Sequence, residues 1–150
     1  MSFFSALDIS ASGLTAQRLR MDIIAENIAN VETTRTETGG PFKRKTVLFQ
    51  ERGSVGPFVE FFSRAMGGVV KDPGGVRVSR VVEDQRPGAK VYDPSHPDAD
   101  AEGYVTKPNV NIVEEMVNMI SASRSYEANV TAFNATKSML AKTLELGSVR

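Results

Sequence analysis

Apolar residues recur at heptad spacing near both ends of the chain. Close to the N-terminus, large apolar side chains stand seven residues apart, with further apolar residues three or four positions between them. This spacing is typical of a helix that packs along one seam, as in a coiled coil. We therefore predict a helix from about Ser5 to Asn30, because Asn tolerates the left-handed backbone in which helices often end. Its seam positions are Leu7, Leu14, Met21 and Ile28.

The C-terminal segment repeats this pattern over a longer stretch. We predict a helix from about Ile112 to Leu146, with Asn109 or Asn111 as its N-cap. Two carboxylates, Glu114 and Glu115, fall in its first turn, where the positive end of the helix dipole favours negative charge. Its seam positions are Met119, Tyr126, Phe133 and Leu140.

Both helices also carry a second apolar row. A hairpin of two helices buries one seam on each, so the second row would remain in water unless something else covers it. Burial of a large aliphatic side chain contributes about 1.5–3 kcal/mol, which favours a further partner. Neighbouring subunits or the middle of the same chain could cover these rows. Their members are Ile9, Ala16 and Ile23 in the first helix and Val113, Val117 and Ile120 in the second.

The middle of the chain is built differently from its ends. All seven prolines and ten of the twelve glycines lie between Glu32 and Pro108, so this part cannot form one long helix. Runs rich in β-branched and aromatic residues predict short strands over 43–50, 58–62, 75–82 and 89–92. The predicted fold is therefore mainly α with a small β region. Residues 1–31 and 109–150 form a coiled-coil-like helical hairpin domain, and residues 32–108 form an inserted, β-rich or irregular domain.

Composition excludes several classes of function. Eighteen basic residues balance eighteen acidic ones, so the chain has no overall charge that would attract nucleic acid. The absence of Cys excludes disulfides, thiolate metal sites and a cysteine nucleophile. His96 is the one histidine, and no Gly-x-Ser-x-Gly nucleophile motif is present. We expect no enzyme activity, no cofactor and no metal.

Two other hypotheses come from particular segments. Asp98, Asp100, Glu102 and Gly103 match the first ligand positions and the glycine of a calcium loop, but Asn109 stands where the bidentate Glu is required. A solvated loop is therefore favoured over a cation-binding module. The amphipathic terminal helices could instead lie on a membrane surface, although their polar faces carry charges of both signs rather than an excess of Lys and Arg.

Several motifs carry a family resemblance. They are Ala-Glu-Asn-Ile-Ala-Asn-Val-Glu-Thr-Thr at 25–34, Gly-Gly-Pro-Phe-Lys-Arg at 39–44, Tyr-Asp-Pro-Ser-His-Pro-Asp at 92–98, Gly-Tyr-Val at 103–105, Asn-Val-Asn-Ile-Val-Glu-Glu-Met-Val at 109–117 and Ser-Arg-Ser-Tyr-Glu-Ala-Asn at 123–129. In this order the chain resembles the rod and hook axial proteins of the bacterial flagellum. The likeness covers nearly the whole chain, but no motif of the family falls in residues 52–75.

This resemblance implies a structural subunit of the cell-proximal rod, the shaft that transmits torque across the periplasm, or another axial rod subunit of the same family. It implies export through the flagellar type III apparatus without a cleaved signal peptide. The implied partners are other copies of the chain, the rod proteins FlgB, FlgF and FlgG, and the base protein FliE. We expect the terminal helices to complete their folding when neighbouring subunits bury them together, with the eight seam residues of the two helices at the interface between subunits.

The motifs also contain polar residues that are candidates for setting register between subunits. A buried amide without a partner costs about 1–3 kcal/mol, so such groups discriminate between registers. The alternative is that Asn30 only caps its helix and that Glu127 is solvated. The candidates are Asn27, Asn30, Tyr126, Glu127 and Asn129.

Overall fold

The structure, a computed structural model, describes residues 3–37, 39–53, 62, 65, 66 and 74–148. In these residues two long helices precede and follow four strands along the chain, so the predicted fold class, mainly α with a small β region, is confirmed. In chain order the elements are helix α1 (Phe3–Ala29), strands β1 (Lys45–Glu51), β2 (Val76–Glu83), β3 (Lys90–Tyr92) and β4 (Tyr104–Thr106), and helix α2 (Ile112–Ser148).

An Asn residue stands at the C-terminus of α1 and another at the N-terminus of α2. At the end of α1, Asn30 donates both its backbone N–H, at 3.1 Å, and its side-chain N–H, at 2.9 Å, to the Glu26 carbonyl. The prediction that Asn30 ends the helix in a left-handed conformation is wrong, because no residue other than Gly has a positive φ in the described part of the chain. At the start of α2, the Asn111 side-chain oxygen accepts the backbone N–H of Val113 at 3.0 Å. Asn111 is therefore the N-cap, and Asn109 has a different role.

The strands form two separate antiparallel pairs, β1 with β2 and β3 with β4. In the second pair Val91 lies opposite Val105, and the rings of Tyr92 and Tyr104 meet edge to face with centroids 5.3 Å apart. β4 is not among the predicted strands. Residues 58–61 of the predicted strand over 58–62 lie outside the described residues. Phe62 is helical, and its carbonyl accepts the Met66 N–H at 3.0 Å, so the strand prediction is wrong at that residue.

The chain divides into two compact units, and each includes turns of both terminal helices. The first comprises the described parts of 1–17, 49–79 and 124–150. In this unit Ser12 of α1 accepts the N–H of Val76 through its hydroxyl oxygen at 3.0 Å, which fixes the start of β2 on the helix. Gly13 faces Asn129 of α2 with no side chain between them.

The second unit comprises the described parts of 18–48 and 80–123. Its apolar core is small, and its buried members are Ile24, Phe42, Val105 and Ala122. The ammonium group of Lys45 lies 5.5 Å from the centroid of the Phe42 ring. With so thin a core, polar contacts contribute much of the packing within this unit.

Candidate functional site

The first turns of α2 expose a row of large apolar side chains, which we call the α2 strip. Four of its residues follow the i, i+3, i+4, i+7 spacing that places side chains on one face of a helix, and the fifth lies four positions before one of them. Their exposed fractions run from 45% at Ile112 to 66% at Val113, which is unusual for five large apolar side chains side by side. The α2 strip consists of Ile112, Val113, Met116, Val117 and Ile120.

The second apolar rows of the two helices have different surroundings. In α1, Ala16 is buried and Ile23 is half-buried, while Ile9 is 38% exposed although its side chain lies close to Gly74, so the chain covers more of this row than of the row on α2. In α2, Val117 and the rest of the row belong to the exposed α2 strip. The row left in water is therefore the one on α2.

All eight apolar residues predicted to form the seam are half-buried. On α1 the buried residues are instead Ser12, Ala16, Ile24 and Asn27. On α2 they are Glu115, Ala122 and Thr136, which share one heptad row with the half-buried Asn129. Each helix therefore buries mainly small or polar side chains and keeps its large apolar seam partly exposed.

A buried polar cluster, which we call the polar node, joins both helices to the start of β1 in the second unit. Its members are Asn27 of α1, Arg44 before β1, and Glu115 of α2. Asn27 is 1% exposed and donates to the Glu115 carboxylate at 2.8 Å. The same amide group donates to the Lys45 carbonyl at 2.8 Å and accepts the Lys45 N–H at 2.9 Å.

Arg44 neutralises the carboxylate of the polar node. Its guanidinium donates twice to one oxygen of Glu115, at 2.9 Å from Nε and 2.6 Å from Nη2. Glu115 is 1% exposed, and Asn118 of the same helix donates to it at 3.3 Å. A buried carboxylate is tolerated when it is paired and hydrogen-bonded in this way.

Asn109 extends the polar node to the end of the β1–β2 pair. Its side-chain oxygen accepts the N–H of Arg44 at 2.9 Å, and its side-chain nitrogen donates to the Asp84 carbonyl at 3.3 Å. The Asp84 N–H in turn donates to the Arg44 carbonyl at 2.8 Å. Arg44 is thus held through both its backbone and its side chain.

The other polar candidates have more local contacts. The Asn30 side chain caps α1 and accepts the Thr33 hydroxyl at 3.1 Å. Glu127 is exposed and Tyr126 is half-buried. Asn129 donates to the Ser125 carbonyl of its own helix at 2.9 Å.

Three carboxylates of the 93–103 loop, those of Asp93, Asp98 and Asp100, accept hydrogen bonds from nearby backbone and side-chain groups. Asp100 accepts the N–H groups of Glu102 and Tyr104. Asp93 accepts the N–H and hydroxyl of Ser95, and these hydrogen bonds lower the pKa of Asp93. Asp98 accepts the Thr34 hydroxyl at 2.7 Å. Among the residues that the structure describes, no cluster of three potential metal ligands occurs.

Sequence reasoning missed the part that Glu115 and Arg44 play. The helix-dipole argument explains Glu115 only as a carboxylate of the first turn, although it stands seven residues before Ala122 in a buried heptad row. A charged residue in such a row is the signal that points to a buried partner. Arg44 carries no comparable signal, because it precedes a strand in a run of basic residues.

Two family models match the end regions of the chain, and several relatives match nearly its full length. The model described as flagella basal body rod protein matches residues 7–35, and the model described as flagellar basal body rod FlgEFG protein C-terminal matches residues 101–146. Flagellar basal-body rod protein FlgC of Bacillus subtilis is 50% identical and covers 98% of this chain and 99% of its own. The proteins of the same name from Borreliella burgdorferi and Salmonella typhimurium are 46% and 42% identical, with coverage of at least 97% of each chain.

In the described part of the chain, no helix combines the length and apolar character required to cross a membrane.

Proposed function

Because this chain belongs to the family of flagellar basal-body rod proteins FlgC, we propose that its terminal helices pack against those of neighbouring subunits to build the proximal rod. The chain is a structural subunit of the flagellar basal-body rod. The observation that carries the mechanism is the α2 strip, five large apolar side chains that the chain itself leaves 45–66% exposed.

Burial of the α2 strip supplies the driving force for assembly. At roughly 25 cal/mol for each Å² of apolar surface removed from water, five such side chains contribute several kcal/mol to each contact. The half-buried seam residues, from Leu7 to Ile28 and from Met119 to Leu140, add apolar surface for further contacts between helices. Contacts between unlike surfaces that do not close into a ring generate a helical shaft.

The partners we propose are other copies of this chain, the rod proteins FlgB, FlgF and FlgG, and the base protein FliE. We propose that the subunit is exported through the flagellar type III apparatus without a cleaved signal and works in the periplasmic rod. We expect no catalytic turnover. The domain division into 1–31 with 109–150 and 32–108 remains our proposal, with the first part forming the rod contacts.

The test replaces apolar residues of the α2 strip that the chain does not bury. Val113→Asp and Val117→Asp place charge where a neighbouring subunit would pack. A strain that lacks the native gene is complemented with each variant, and secretion, basal-body incorporation and motility are measured. We expect normal secretion with loss of incorporation and motility.

Val113→Ile and Val117→Ile are the matched controls, because they keep the same positions apolar, and they should restore motility. Circular dichroism of the purified Asp variants should match the parent, since both sites are exposed. Normal incorporation of a folded Val113→Asp/Val117→Asp double variant would contradict the proposed contact. Phe133 is a less selective site for this test, because it is half-buried and a charge there would also disturb packing within the chain.

A further inference from the structure

We propose that Glu115 sets the register in which α2 pairs with α1, through the polar node. It is a positioning residue for the helices and is not itself a contact with a neighbouring subunit. The inference concerns the fold of the single chain, so it stands or falls independently of the rod contacts proposed above.

The apolar pattern alone specifies this register weakly. On both helices the large apolar residues repeat every seven positions, so a shift of α2 by one heptad again places apolar residues beside apolar residues. Phe133, for example, would take the level of Tyr126. Hydrophobic burial changes little between such alternatives, and another interaction must select one of them.

The contacts of the polar node, in contrast, can form in one register only. In the heptad row Glu115, Ala122, Asn129 and Thr136, Glu115 is the one carboxylate. A shift by one heptad would place Ala122 or Pro108 at the level of Asn27. The Asn27 amide would then lose its carboxylate acceptor, and Glu115 would leave the position where Arg44 neutralises it. An unpaired buried polar group disfavours the shifted register.

A second contact reports the same register. Gly13 faces Asn129 in the first unit, whereas Asn27 contacts Glu115 in the second. Fourteen residues, or two heptads, separate the members of these pairs along each helix. Gly13 and Asn129 therefore provide a place to read out the register without altering the polar node.

The experiment uses disulfide formation in the full chain, which contains no Cys of its own. Gly13→Cys is combined with Asn129→Cys to report the native register. It is combined with Ala122→Cys or Thr136→Cys to report a shift by one heptad in either direction, each together with Asn129→Ala, which removes the carboxamide that a β-carbon at position 13 would meet. Each pair equilibrates in a thiol buffer at low protein concentration, and mass spectrometry of non-reduced monomer quantifies the intramolecular disulfide.

Each pair is measured with native Glu115, with Glu115→Gln and with Glu114→Gln. Glu114 is the matched control, because it is the adjacent carboxylate, also contacts Arg44, and is largely exposed. In the chain with native Glu115, and in the Glu114→Gln variant, we expect the yield of the native disulfide to exceed that of each shifted disulfide at least about tenfold. Glu115→Gln replaces one of the two acceptor oxygens with an amide donor, which must face either the Asn27 donor or the Arg44 donors, so the excess should fall towards equality. An unchanged excess in folded Glu115→Gln would overturn the proposal.

A second variant covers the case in which Glu115→Gln fails to fold. Arg44→Met/Glu115→Met removes both charges together and keeps side chains of similar length, which typically preserves stability. We expect helix content similar to the parent together with appreciable shifted disulfide. Retention of the native disulfide alone in this folded variant would overturn the proposal. Loss of helix content would also overturn it, because the pair would then be required for folding rather than for choice of register.

Discussion

The α-carbon of Gly88 faces the backbone carbonyl of Lys107 so closely that a β-carbon on Gly88 would stand 1.7 Å from that oxygen. The carbonyl has little freedom to withdraw, because the Lys107 N–H donates to the Ala89 carbonyl at 2.9 Å. We predict that Gly88→Ala lowers the free energy of unfolding by about 1–3 kcal/mol or more, as overpacking does. Urea unfolding followed by circular dichroism measures this change.

Gly147→Ala is the control for this prediction, since a β-carbon on Gly147 meets nothing within 4 Å. The control should leave stability equal or slightly higher, because Ala favours helix over Gly by about 1 kcal/mol in a helix interior. Equal stability of the Gly88→Ala variant and the parent would contradict the close approach.

Ser12 fixes the start of β2 on α1. Its hydroxyl donates to the Ile9 carbonyl at 2.7 Å and accepts the Val76 N–H at 3.0 Å, and the residue is buried. Ser12→Ala leaves the Val76 N–H without this acceptor, so we predict a loss of about 1–3 kcal/mol in the free energy of unfolding. Thr15→Ala is the matched control: its hydroxyl also donates to a helix carbonyl, but at an exposed site. A comparable loss in both variants would count against the bridging role of Ser12.

The two helices were predictable because their apolar spacing extends over many turns. Both observed helices begin and end within two residues of the predicted limits. β4 was not predictable in this way, since the three residues Tyr104–Thr106 are too few to show alternation. Its pairing with β3 depends on the 93–103 loop, which brings Tyr104 back to Tyr92.

The α2 strip could be predicted as a second apolar row, since helical periodicity alone places Val113 and Val117 together. The polar node could not be predicted, because Asn27, Arg44 and Glu115 are far apart in sequence and meet only through tertiary packing. Periodicity assigns each residue to a face of its own helix. It does not say which residues of a distant segment will stand opposite that face.

The contact between Asp84 and Arg86 should make the stability of the fold depend on pH. Hydrogen bonds from the Arg86 side chain and backbone lower the pKa of Asp84 from 3.8 to about 2. Because the pKa is lowered, the contact stabilises the fold at pH values above about 3.8. This stabilisation is lost as the pH falls towards 2. We predict that Arg86→Gln raises the pKa of Asp84 towards 3.8, as measured by NMR titration of its carboxyl carbon.

Arg77→Gln is the control for this titration, because Arg77 contacts Gln50 and not Asp84. It should leave the pKa of Asp84 unchanged. The stability difference between the parent and Arg86→Gln should be constant near neutral pH and shrink between pH 3.8 and about 2. A difference that instead grows as the pH falls would contradict the assigned cause.

Gly13 and Asn129 should be energetically coupled. A β-carbon on Gly13 would stand 3.0 Å from both the amide nitrogen and the oxygen of Asn129. Gly13→Val should therefore lower the free energy of unfolding by about 1–3 kcal/mol through overpacking. Asn129→Ala removes the obstructing carboxamide, so the double variant should lose less than the sum of the two single changes, with a coupling of about 0.5–3 kcal/mol. Gly13→Val combined with Glu127→Ala should show simple additivity, because Glu127 is exposed. Additivity in the Gly13–Asn129 pair as well would mean that the helices do not approach each other closely at this level.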